Sequence, residues 1–111
     1  MSINIGDLAE NVAFYTEVLG LDVLPRPDAD IAVDGAWLGL PDGRQVHLLV
    51  QESRPADGQH FAFEVDDLDA VLTELEGKGV RVSPPSTLAA VCRQSFTKDP
   101  SGNLLEFNQR L

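Results

Sequence analysis

Hydrophobic and polar positions follow two periods along this chain, and each period occurs twice. "SINI" and "HFAFEV" alternate one for one, as a strand with one covered face does. Each leads into a stretch of helical period. In "DLAENVAFYTEVLG" Leu8, Val12, Tyr15 and Leu19 share a face, and in "DLDAVLTELEGKG" Leu68, Val71, Leu72 and Leu75 do. Asp7 and Asp67 stand where a carboxylate caps the first free amides, and Gly20 and Gly79 where a helix stops. A short strand is expected next, Leu21 to Leu24 in the first half and Val80 to Ser83 in the second, ended by Pro25 and Pro84. Each half then closes with a hairpin. "AWLGL" turns through "PDGR" into "QVHLLV", and "CRQSFTK" turns through "DPSGN" into "LLEFNQ".

The halves therefore read as one unit repeated. Laying Asp67-Leu68 over Asp7-Leu8 sets Phe61 on Met1, Phe63 on Ile3 and Val65 on Ile5. In the hairpins Pro41 matches Pro100, Gly43 matches Gly102, Trp37 matches Phe96 and His47 matches Glu106. The pattern predicts an α+β fold of two βαβββ units in pseudo-twofold arrangement, over about residues 1–50 and 60–111 of a single domain, 1–111. Its eight mixed strands would curve around a shared cavity, with a helix outside each sheet. "QESRPADGQ", Gln51 to Gln59, reads as the linker between halves, and "PPSTLAAV" as a second loose segment.

Composition narrows the partners. The chain has 111 residues, enough for one core, and 18 acidic against 8 basic residues give it a net charge of −10. That charge repels phosphate backbones and anionic membranes, so neither nucleic acid nor membrane is an expected partner. No apolar run is long enough to span a bilayer and no secretory leader is visible, which points to the cytoplasm. Cys92 is the only cysteine and reads as a small, partly buried hydrophobe.

Strand alternation then selects the side chains that face the cavity. Phe61, Phe63 and Val65 pack under a helix, which turns His60, Ala62 and Glu64 the other way. By the same rule Gln45, His47 and Leu49 face inward, as do Leu104, Glu106 and Asn108. A lone strand histidine or glutamate is most often structural. Here both histidines of the chain and one carboxylate fall on the inner face, with His47 and Glu106 at repeat-related positions. Two imidazoles and a carboxylate suit a divalent metal ion, Fe, Mn, Ni or Zn, and leave coordination positions open. Trp37 and Phe96 are candidates for the cavity wall and for substrate contact, a place that a core-filling aromatic would equally take. Arg93 is a candidate to face inward and hold an anionic substrate group, against the alternative of a surface arginine.

With those residues assembled, the sequence resembles the vicinal oxygen chelate superfamily, which includes glyoxalase I, extradiol dioxygenases, methylmalonyl-CoA epimerase and the fosfomycin and bleomycin resistance proteins. "DLAENVAFYTEVLGL", "HFAFEVDDLDAV" and "DPSGNLLEF" carry the resemblance over essentially the whole chain. It implies metal ligands at four positions: the one preceding Met1, His47, His60 and Glu106. The first lies ahead of Met1: either a few native N-terminal residues precede it, which is the expectation, or the chain departs from the pattern and keeps three ligands. The resemblance also implies a metal-dependent enzyme of the glyoxalase type, with lyase or isomerase chemistry on a small substrate that chelates the metal through adjacent oxygens, and Glu106 as ligand and base. The alternatives are a protein that sequesters a small molecule, as bleomycin resistance proteins do, or a dioxygenase, although the extradiol ligand pattern omits the position of His47. Relatives of this kind are usually dimers, so a homodimer is expected.

Overall fold

Alternation becomes burial in the first strand. In the computed structural model, which describes residues 1–27 and 33–111, Ile3 and Ile5 of β1 (Ser2–Ile5) are buried while Ser2 is exposed. β2 (Asp22–Leu24), β3 (Gly35–Gly39) and β4 (Gln45–Val50) complete a sheet of order β1-β4-β3-β2. β1 runs parallel to β4 because a helical crossover brings the chain back, and the hairpin partners are antiparallel. Leu38, Val46 and Leu48 are fully or nearly fully buried beside Ile3 and Ile5, and form the face that the helix covers. β5 (His60–Glu64), β6 (Ser86–Leu88), β7 (Cys92–Lys98) and β8 (Leu104–Arg110) make a second sheet of order β5-β8-β7-β6, again with one parallel pair, β5 with β8. The described residues thus hold eight strands in two mixed sheets, and the chain divides into two compact units, Met1–Pro55 and Ala56–Leu111.

The pairing registers give the repeat a physical form. Trp37 lies opposite His47 in the first sheet, and Phe96 lies opposite Glu106 in the second. Ser2 pairs with His47 and Ala62 pairs with Glu106, so His60 sits two residues before the partner of the carboxylate.

Both helices begin as their capping residues dictate. The Asp7 carboxylate accepts from the Glu10 amide at 2.8 Å, and Asp67 accepts from Ala70 at 3.1 Å. In α2 (Leu68–Gly77) Leu68, Leu72 and Leu75 are buried, the face expected from the sequence. α1 (Leu8–Ala13) departs from its expected stripe. Its last turn widens into a π-helical turn, Phe14–Val18, and the buried residues are Asn11, Phe14 and Tyr15. Of the expected four, Tyr15 alone is fully buried, against Phe14 edge to face at 5.3 Å. Asn11 enters the buried face because its amide donates to the Asp7 carbonyl at 2.7 Å. Gly20, at φ +80, ends the element, and the Leu21 amide closes back on the Tyr15 carbonyl at 2.9 Å.

A second correction concerns the strand after α2. It is Ser86–Leu88, beyond Pro84 and Pro85, within the segment expected to be loose. Residues 80–83 instead bond β7 largely through side chains. The Ser83 hydroxyl accepts from the Phe96 amide at 2.8 Å, the Ser83 amide donates to the Phe96 carbonyl at 2.8 Å, and Thr97 donates to the Arg81 carbonyl. Hydroxyls that serve as ladder partners, followed by two residues without an N–H, interrupt the strand there.

Candidate functional site

Two polar constellations stand on the sheet faces opposite the helices, one in each unit. In the first, His47 of β4 lies between Trp37 and Gln45. Its ring stacks on the indole at 4.5 Å between centroids and 7° between planes, and its Nε2 meets the Gln45 side-chain oxygen at 2.8 Å. Gln45 Oε1 only accepts, so Nε2 carries the proton. Partial burial foremost, then the N-terminal ammonium and Arg26, holds the imidazole below its ordinary pKa and favours the neutral ring.

The second constellation is denser. His60 opens β5, and its Nδ1 lies 2.8 Å from the Gly58 carbonyl. A carbonyl accepts only, so the Nδ1 proton is fixed and Nε2 turns to Glu106. His60 Nε2 and Glu106 Oε1 are 3.1 Å apart, with the carboxylate side chain 11% exposed and the imidazole 34%. The other carboxylate oxygen, Oε2, accepts from the Asn108 amide at 2.7 Å, and that same amide nitrogen donates to buried Cys92 Sγ at 3.4 Å. Phe96 meets the His60 ring edge to face at 5.3 Å. The bond to Gly58, and then the hydrogen bond and charge of Glu106, outweigh burial and raise the His60 pKa.

The placement of the expected residues is uneven. Trp37 is beside His47 and Phe96 beside His60. Arg93 takes the opposite face. Parity along β7 puts it with Ser95 and Thr97, and its guanidinium clasps Asp69 of α2 at 2.9 and 3.1 Å, so of the two placements considered the inward one gives way to a strand-to-helix ion pair. That pair holds the Asp69 carboxyl below its ordinary range. Glu64, considered above only for its place on the inner face, is exposed and pairs with Arg110 at 3.3 Å. Three partners of the site had no assigned role. Gln45 and Asn108 each sit two residues from a named site residue, the same-face spacing of a strand. Gly58 acts through its carbonyl, for which no side chain is a signal.

His60 and Glu106 suit a metal ion by the distance between their donors. Two donors bound at about 2.1 Å to one ion lie about 3.0 Å apart at a right angle and about 3.4 Å apart at a tetrahedral angle. The observed 3.1 Å falls between these. The outer atom of each side chain is already tied, Nδ1 to Gly58 and Oε2 to Asn108, as outer partners of metal ligands commonly are. Among the described residues no group of three or more His, Cys, Asp or Glu gathers closely enough to hold an ion. The second unit thus offers an oriented pair of donors.

The family model of the glyoxalase/bleomycin resistance protein/dioxygenase superfamily matches residues 1–107. The chain belongs to this superfamily. Within it, a "Probable lactoylglutathione lyase" of Vibrio cholerae is 29% identical over 118 residues, covering 96% of this chain and 86% of the relative. An antibiotic binding protein from a Streptomyces species is 28% identical, with a TM-score of 0.76 over 100% of this chain and 93% of that one. A fosfomycin resistance protein from Listeria monocytogenes, solved with Mn(II), shares the fold at a TM-score of 0.82 and 16% identity, over 99% of this chain and 88% of that one. Proteins of this fold therefore include one solved with Mn(II) and one that binds an antibiotic. No helix among the described residues is long and apolar enough to cross a membrane.

Proposed function

We propose that this protein is a divalent-metal-dependent enzyme of the glyoxalase type, with lyase or isomerase chemistry on a small substrate that presents two adjacent oxygens. The observation that carries this reading is the His60 and Glu106 pair, 3.1 Å apart with both outer atoms tied. The likeness to the Vibrio protein supports the reaction class. His60 through Nε2 and Glu106 through Oε1 would hold the ion, Fe, Mn, Ni or Zn, with His47 as the third protein ligand. When bound, such an ion supplies Lewis-acid stabilisation of a developing oxyanion. Glu106 would also move the substrate proton, on a lone pair left to its carboxylate beside the ion and the Asn108 amide. Trp37 and Phe96 line the substrate's approach beside the histidines. Arg93, held by Asp69, takes no part. The working form is a cytoplasmic homodimer, in which exposed edge strands such as β6 find cover. A monomeric mass by light scattering at micromolar concentration would count against the dimer.

Metal-dependent melting tests the site. An ion at 100 times its dissociation constant stabilises the native state by about 2.7 kcal/mol. His60→Ala and Glu106→Ala should each abolish the corresponding rise in melting temperature, His47→Ala should weaken it, and Glu64→Ala should leave it intact. Unchanged metal affinity in His60→Ala would overturn the assignment.

A second reading has an observation of its own. Identity to the antibiotic binding protein, 28%, nearly equals that to the lyase, 29%. A protein that sequesters its ligand should bind a small molecule without turnover, and should purify with substoichiometric metal that added salts do not restore. Elemental analysis together with an assay of lactoylglutathione turnover separates the two readings.

A further inference from the structure

The strongest unassigned feature of the second unit is the Asn108 side chain. It stands two residues beyond Glu106 on the same face of β8, and both protons of its amide nitrogen have acceptors, Glu106 Oε2 at 2.7 Å and Cys92 Sγ at 3.4 Å. That double engagement fixes which end of the amide faces the carboxylate. A flipped amide would set its oxygen against Oε2 and leave the thiol without a donor. Oε2 is therefore occupied, in the direction away from His60, while Oε1 faces His60 Nε2 at 3.1 Å.

We infer that Asn108 is a positioning residue that restricts Glu106 to coordination through one oxygen, and so keeps open the coordination position that a substrate with two adjacent oxygens needs. This rests on the metal reading above. A carboxylate free to turn can bind an ion through both oxygens and take two positions. With Oε2 held by a charge-assisted hydrogen bond, Glu106 takes one. Cys92 serves as the backstop: its sulfur receives the second amide proton and stops the amide from swinging away. Both residues thereby act through Glu106, without touching substrate.

The test uses Co(II) as metal and acetohydroxamate, which chelates through two adjacent oxygens, as probe, with wild type, Asn108→Ala and Asn108→Asp. Asp keeps the shape of Asn but, ionised, donates nothing. Calorimetry gives the Co(II) affinity, and Co(II) visible absorption reports coordination number before and after the probe. Both variants should keep Co(II) within about threefold of wild type, show weaker visible bands as the second oxygen coordinates, and lose about tenfold in probe affinity, about 1.4 kcal/mol and the scale of one hydrogen bond. Equal probe affinity and equal spectra in folded variants would overturn the inference while leaving the metal site standing. Failure of wild type to bind Co(II) would overturn both. If neither variant folds, Cys92→Ala, which retains Asn108 and removes only its backstop, should weaken the probe about threefold, about 0.7 kcal/mol and the scale of one weak hydrogen bond. No change there overturns the inference as well.

Discussion

Replacing Gly35 by alanine places a methyl group of β3 against the backbone of β4, the other central strand of the first sheet. A Cβ on Gly35 would lie 2.0 Å from the Leu48 carbonyl oxygen and 3.2 Å from its carbon, whereas ordinary contact begins near 3.4 Å. The strands must part by the difference, 1.4 Å, or the residue must leave its pairing with Leu49. Neither is easy, because Leu48 is fully buried and backbone cannot turn aside as a flexible side chain can. Overpacking of this kind costs about 1–3 kcal/mol. For a chain of this size that lowers the melting temperature by about 4–8 °C per kcal/mol. The displacement also reaches the first constellation, since Trp37 is two residues along β3 and His47 one residue along β4. Trp37 is the sole tryptophan and stacks on that imidazole, so its fluorescence reads stability and local geometry together. Urea unfolding followed by Trp37 emission and by far-UV circular dichroism should show an earlier midpoint and an altered native emission. A midpoint within 0.5 kcal/mol of wild type, roughly the scale of a neutral surface change, refutes the close approach of β3 and β4 at this position.

The histidines should give opposite pH slopes in the metal-free protein. His60 has a folded pKa above its ordinary 6.5, so its contribution is fully present below that value and is lost as pH rises through the folded pKa. His47 has a folded pKa below 6.5, so its contribution is present above 6.5 and is lost as pH falls through the folded value. Urea midpoints of His60→Gln and His47→Gln between pH 5 and 8 should therefore diverge from wild type at opposite ends of the range, and parallel profiles would sink the assignment. Ser83→Ala removes the acceptor of the Phe96 amide and should destabilise by about 1–3 kcal/mol, as measured by chemical denaturation. Asp67→Ala removes the N-cap of α2 and should cost about 1 kcal/mol, with faster amide exchange confined to the first turn.

Most of the fold was legible in local pattern. Asp7 and Asp67 cap because a short carboxylate reaches the next turn's amides whatever the tertiary context, and two-residue alternation assigned the buried faces of β4 and β8. The repeat matched Trp37 with Phe96 and His47 with Glu106, and the structure pairs each couple across its hairpin in the same register, since equal turns impose equal register. Pattern was silent where a partner lies outside the element. In "CRQSFTK" parity alone sets Arg93 with Ser95 and Thr97, opposite Phe96, but its partner Asp69 lies 24 residues away on α2 and had no signature in the strand. The shift of the α1 stripe to Asn11, Phe14 and Tyr15 came from a π-helical turn, and the start of β6 beyond Pro85 came from hydroxyls that stood in for backbone.

The candidate site divides in the same way. Sequence alone set His60 and Glu106 on the inner faces of their strands, because side-chain parity is a property of the chain itself. Tertiary structure alone decided that the pair lies 3.1 Å apart, that the Gly58 carbonyl fixes the imidazole proton, and that Asn108 occupies the far carboxylate oxygen. Hydrogen-bond partners separated by 46 residues, or supplied by backbone, leave no local period to read; they exist only once β5 and β8 are paired in register.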